Sequence, residues 1–124
     1  MPSILIADDE LHIRLLLEQT LEELEEEGVR LLFAADGHTT LEIIKKERPE
    51  LVLLDVMMPV MSGFEVCHHI KNELQMDDVY IIMLTAKGQE FDKRRGKEAG
   101  ADIYMTKPFN PDEILKKARD ILGM

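Results

Sequence analysis

The chain has little of what a secreted, membrane-bound or nucleic-acid-binding protein carries. Its one cysteine, Cys67, cannot form an internal disulfide, and the amino end (Met1, Pro2, Ser3) has neither a basic segment nor a long apolar one. A disulfide scaffold is excluded, and a reducing, cytoplasmic setting is the expectation. Basic residues are in deficit, 15 against 25 acidic, and the formal charge of −10 works against unaided binding to nucleic acid or to a membrane. There is no linker, low-complexity tract or internal repeat, so the 124 residues are expected to form one domain over 1–124. With 45% hydrophobic and 32% charged residues, the composition excludes intrinsic disorder.

What is present is an alternation of short apolar runs and longer amphipathic ones. Ser3 to Ala7, Leu31 to Ala34, Leu51 to Leu54, Val79 to Leu84 and Ile103 to Met105 have strand length, and several are continuous rather than alternating. Continuous runs predict strands covered on both faces. Helices are predicted over roughly Leu11 to Glu27, Thr39 to Lys46, Phe64 to Leu74, Glu90 to Ala99 and Pro111 to Leu122. In the first, Leu11, Leu15, Leu17, Leu21 and Leu24 recur near helical period before Gly28 supplies a C-cap. Ser62 and Glu65 form a capping box for the third, and Asn110 with Pro111 opens the last. Successive βα units imply an α/β fold: a single doubly wound parallel sheet of five strands with helices on both faces.

Ligands of such sheets gather at the carboxyl ends of the strands, where the winding direction reverses. The first run ends in Asp8, Asp9 and Glu10, the third in Asp55, the fourth in Thr85 and Ala86, and Lys107 and Pro108 follow the fifth. Asp55 closes the stretch LVLLDVMMP, where burying a charge is costly. Carboxylates brought to about 4 Å repel by about 4 kcal/mol at an effective dielectric of 20, so a cation must compensate. Mg²⁺, which prefers oxygen ligands and commonly joins one or two carboxylates to a phosphoryl group, suits the set. Lys107 adds a point charge and Thr85 a hydroxyl donor. The arrangement suits transfer of a phosphoryl group to Asp55 as nucleophile.

The residues IADDE at 6–10, LVLLDVMMPVMSGFE at 51–65, MLTA at 83–86 and AGADIYMTKPF at 99–109 resemble the receiver domain of two-component response regulators. The resemblance runs over essentially the whole chain and implies a flavodoxin-like sheet of order 2-1-3-4-5. It further implies that Asp55 is the phosphoacceptor, Asp9 a direct Mg²⁺ ligand, Asp8 a second acid at the metal, and the backbone carbonyl of Met57 a further ligand. Thr85 and Lys107 match the residues that hold the phosphoryl oxygens, Tyr104 matches an aromatic switch, and Lys107–Pro108 matches a cis peptide. The implied function is a phosphoacceptor switch, not an enzyme with turnover. It takes the group from a histidine kinase or histidine phosphotransfer protein and shows a downstream protein its fourth helix, fifth strand and fifth helix.

The predicted fourth helix holds the main basic cluster, Lys93, Arg94, Arg95 and Lys97, which suggests an acidic partner surface. Val60 and Ser62 replace a glycine and an acid common in the family loop MPGMDG, and Ile103 replaces an acid that many transcription-factor receivers use across a dimer face. Met57 is apolar at a position that tunes hydrolysis, which predicts a long-lived phosphoryl group. Nothing after Leu122 resembles an output domain. Cys67, His68 and His69 read as packed or solvated side chains, the Met57, Met58 and Met61 cluster as packing, and the Glu22–Glu27 run has no functional account.

Three alternatives remain to be weighed. A phosphohydrolase with an aspartyl nucleophile would place a second acid where Met57 stands. A flavodoxin would need a hydroxyl-rich phosphate loop where Asp8, Asp9 and Glu10 would repel phosphate. A receiver-like protein-binding module that is never phosphorylated is the remaining class.

Overall fold

The apolar runs become strands, and the least interrupted of them lie deepest. In the computed structural model, which describes residues 2–86, 97 and 99–124, β1 (Ser3–Ala7) and β3 (Leu51–Asp55) are buried along their whole length. β4 (Tyr80–Ala86) lies beside β3, while β2 (Arg30–Ala34) and β5 (Ile103–Lys107) are partly exposed edges. The order is β2-β1-β3-β4-β5 and every neighbouring pair is parallel. The expected sheet is therefore present.

Side chains alternate across the sheet, and two cores result. Leu5, Val52, Leu54, Ile81 and Met83 face one core with α3 (Gly37–Glu47) and α4 (Gly63–His68). Ile4, Ile6, Leu51, Leu53, Ile82, Leu84 and Met105 face the other with α1 (Leu11–Thr20), α2 (Glu22–Glu26) and α5 (Pro111–Leu122). The sheet is thus wound on both sides, as continuous apolar strands require.

The helices differ from expectation in instructive ways. The predicted Leu11–Glu27 helix is two, joined at Leu21, and in the last turn of α1 the Thr20 hydroxyl donates to Leu16 O at 2.8 Å, a bond that competes with regular helix. Leu17, Leu21 and Leu24 nonetheless stay on the buried face. The acidic run gains a structural partner: Glu23 and Glu27 both receive the Arg119 guanidinium of α5, at 3.0 and 2.5 Å. α4 ends early and passes into a π-helical turn, His69–Glu73, rather than continuing regularly. Ser62 caps α4 through Glu65 N at 3.2 Å, and Asn110 caps α5 through Asp112 N at 2.9 Å. Asp36, not singled out in the sequence, caps α3 through Thr39 N at 2.7 Å. β5 runs on to Lys107, so this lysine is a strand residue. Of the predicted helix over Glu90–Ala99 only Lys97 and Ala99 are described, both helical, with Lys97 exposed; Lys93, Arg94 and Arg95 lie outside the described residues.

Candidate functional site

Strand parity builds the site. Asp8 continues the face of Ile4 and Ile6, Asp55 that of Leu51 and Leu53, and Lys107 that of Ile103 and Met105, so all three project to the α1/α5 side of one rim. Lys107 Nζ donates to Asp8 Oδ2 at 2.8 Å and to Asp55 Oδ1 at 3.0 Å. One ammonium thus bridges carboxylates from two strands. Asp8 is wholly buried and Asp55 is 6% exposed. Burial, then the charge of Asp8, push the Asp55 carboxyl up to about 6 against the pull of Lys107. Burial pulls the Lys107 ammonium down, but its bonds to Asp8 and Asp55 outweigh this and hold it above the ordinary range.

Asp8, Asp9 and Glu10 place a carboxylate oxygen each within 4.8 Å of one another, with Asp9 and Glu10 exposed. Asp55 is not in that group but meets Asp8 through the shared Lys107 ammonium; hard oxygen donors of this kind suit a divalent cation such as Mg²⁺. Both Asp8 oxygens are already engaged, Oδ2 by Lys107 and Oδ1 by Glu10 N at 2.9 Å.

The loop after β3 is pressed onto the rim. Gly63 N donates to Val56 O at 2.8 Å, and a Cβ at Gly63 would fall 2.2 Å from Asp55 O. At Gly37 a Cβ would fall 1.9 Å from Met61 O. Only glycine permits these approaches. Val60, in the family's glycine position, has φ +71° and is 83% exposed. Met57 is 72% exposed, so it does not join the packing expected of the methionines, whereas Met58 and Met61 do.

Thr85 and Tyr104 lie on the opposite sheet face from Asp55: Tyr104 pairs with Met83, two residues before Thr85, and packs against the α3/α4 core. Thr85 is 1% exposed, and its Oγ1 has no hydrogen-bond partner among the described residues. Lys107–Pro108 is cis. The sequence reading brought Asp8, Asp9, Asp55, Thr85 and Lys107 to one rim, and they are there. It missed Arg14, whose Nη1 donates to Asp8 O at 2.7 Å, and the close approaches of Gly37 and Gly63. Cys67 is buried with its thiol pushed up to about 12 by burial, while His68 and His69 approach Glu73 at the surface.

The family model of the response regulator receiver domain matches residues 4–119. The chain belongs to that family. The alkaline phosphatase synthesis transcriptional regulatory protein PhoP of Bacillus subtilis is 44% identical to this receiver over 119 residues, 96% of this chain and 48% of that protein. The receiver thus spans about half the length of the curated relatives it matches. Chemotaxis response regulator CheY4 of Vibrio cholerae is 35% identical with a TM-score of 0.83, covering 98% of each chain. The receiver domain of sensor histidine kinase PA1611 of Pseudomonas aeruginosa is 27% identical with a TM-score of 0.85, covering 99% of this chain and 98% of that one. It was solved with magnesium coordinated in its active-site cleft. Among the described residues no helix is long and apolar enough to cross a membrane.

Proposed function

We propose that this receiver accepts a phosphoryl group on Asp55 from a phosphohistidine of a histidine kinase or phosphotransfer protein. The supporting observation is the Lys107 ammonium bridging Asp8 and Asp55 at 2.8 and 3.0 Å on the rim of the sheet. In the transfer, an Asp55 oxygen attacks phosphorus, the P–N bond breaks, and the imidazole leaves. At neutral pH Asp55, with its carboxyl near 6, is largely ionised and can attack. Lys107 stands where charge gathers on the phosphoryl oxygens, and the buried Thr85 hydroxyl has a hydrogen bond to give. Asp9, Asp55 and the Met57 carbonyl would hold Mg²⁺, with Asp8 as the second acid at the site. The bound ion supplies charge neutralisation between carboxylates and phosphoryl oxygens.

The modified Asp55 would draw Thr85 toward it and leave room for Tyr104 to move inward, biasing two conformations of a face that includes β5 and α5. A downstream protein would read that face, in a cytoplasmic signalling pathway. The receiver's own catalysis is limited to its modification and a slow hydrolysis, since Met57 cannot orient an attacking water. The decisive experiment is incubation with acetyl phosphate and Mg²⁺, followed by intact-protein mass. A phosphoryl gain in the wild type, absent from Asp55→Asn and without Mg²⁺, is expected; no gain beside an active control receiver refutes the proposal.

A further inference from the structure

We propose that Arg14 is a positioning residue of the acidic rim: its guanidinium fixes the peptide joining Asp8 to Asp9 and so aims both carboxylates at the cation site. The inference rests on the receiver reading given above. Asp8 is gripped on every polar atom. Its N–H donates to Ala34 O at 3.1 Å, its Oδ1 accepts from Glu10 N at 2.9 Å, and its Oδ2 accepts from Lys107 at 2.8 Å. Its carbonyl accepts from Arg14 Nη1 at 2.7 Å. That carbonyl and the Asp9 N–H belong to one planar unit, so holding the oxygen sets the direction in which Asp9 leaves.

Helix geometry makes the grip specific. Glu10 stands at the N-cap of α1 with extended backbone, and no side chain caps the helix there. Arg14, in the second turn, reaches back over that uncapped end to the strand terminus. A charge-assisted bond of this kind is stronger than a neutral one, and the short distance agrees. Asp9 and Glu10 are exposed and near one another and Asp8, so their mutual repulsion favours splaying apart. The Arg14 bond opposes that by pinning the backbone on which they sit.

Charge and position predict opposite signs. A cation beside carboxylates repels a second cation, so if Arg14 acted by charge alone its removal would tighten Mg²⁺ binding. If it positions the rim, removal loosens binding. The test is a calorimetric Mg²⁺ titration of the whole chain as wild type, Arg14→Met and Arg14→Lys, with urea midpoints in chelator to read folding separately. Methionine keeps the apolar stem and removes the donors. Arg14→Met is expected to weaken Mg²⁺ binding about tenfold, the range for partners that orient metal ligands. Arg14→Lys, which keeps one charged donor, is expected to fall between. Unchanged or tighter binding by Arg14→Met overturns the inference, as does a lysine variant no better than the methionine one. If Arg14→Met does not fold, Arg14→Lys decides: weakened binding supports the inference and wild-type binding overturns it. A wild type that neither binds Mg²⁺ nor gains Asp55-dependent mass sinks the receiver reading itself. A wild type that does both, beside an unaffected Arg14→Met, sinks only the role of Arg14.

Discussion

Replacing Asp55 should stabilise the metal-free protein. Burial and the neighbouring Asp8 push the Asp55 carboxyl from an ordinary 3.8 up to about 6. Below the lower value both folded and unfolded chains hold the proton, and Asp55 adds no pH dependence. Between the two, the folded chain holds the proton more often, so stability falls as pH rises through the window. Above about 6 the whole penalty is present. The gap corresponds to about 3 kcal/mol at 1.36 kcal/mol per pKa unit. Asp55→Asn removes the charge but gives up one partner of Lys107, which keeps Asp8. A net gain of about 2 kcal/mol near pH 8 follows, since an ionic hydrogen bond is worth about 1.5–3 kcal/mol and only part of it is lost.

The assay is urea unfolding of wild type and Asp55→Asn in chelator, at about pH 8 and about pH 4.5. The variant should be more stable at the higher pH, with most of the gain gone at the lower. Mg²⁺ should raise the wild-type midpoint by mass action and leave the variant nearly unmoved. A variant no more stable than wild type at pH 8, or a gain equal at both pH values, would refute the account of Asp55 as a buried, repelled carboxylate.

Three substitutions around the loop after β3 have defined outcomes. Val60→Gly should raise the unfolding free energy by about 1 kcal/mol, because a left-handed conformation costs an L-residue about 1–2 kcal/mol and the exposed side chain packs on little; a lower urea midpoint would contradict this. Gly63→Ala forces a Cβ to 2.2 Å from Asp55 O, and should cost about 2 kcal/mol or more in stability while slowing acetyl-phosphate labelling. A wild-type midpoint would show that the loop yields. Met57→Asn should shorten the lifetime of the Asp55 phosphoryl group about tenfold in single-turnover decay, by giving an attacking water a polar neighbour. An unchanged decay rate counts against the role of Met57.

Most of the frame was legible because burial on both faces leaves a plain mark. β1 and β3 carry nearly continuous apolar residues of strand length, and both are buried along their whole length. The rim was legible for the same reason: where a strand leaves the core its next residue can be polar, and Asp8 and Asp55 stand at those points. What the sequence hid depends on contacts remote in the chain or on backbone approach. The leucine period runs unbroken past the interruption at Leu21, so periodicity alone could not reveal it. Glu23 and Glu27 lie more than 90 residues from Arg119, and nothing local pairs them. Gly63 resembles any glycine at a helix start until the carbonyl of Asp55 is seen against it. The π-helical turn at His69–Glu73 likewise leaves no mark in composition.

In the proposed switch, the Thr85 hydroxyl would connect the two faces of the sheet. Asp55 and Lys107 project to the α1/α5 side, whereas Thr85 and Tyr104 follow the opposite parity, so a change at the acid must cross the sheet to reach the aromatic ring. Thr85 Oγ1 is buried without a hydrogen-bond partner among the described residues, and a buried hydroxyl left unpaired costs about 1–3 kcal/mol. A phosphoryl oxygen on Asp55 would supply the missing acceptor, and the recovered energy would favour whichever conformation brings Thr85 to it. Thr85→Val, close in shape and lacking the hydroxyl, should therefore stabilise the unmodified protein by about 1 kcal/mol in urea unfolding. The same variant should still take up the phosphoryl group by mass, yet lose the phosphorylation-dependent shift of the Tyr104 ring resonances. A destabilised unmodified variant, or an intact Tyr104 response, would show that the hydroxyl is not the link between the two faces.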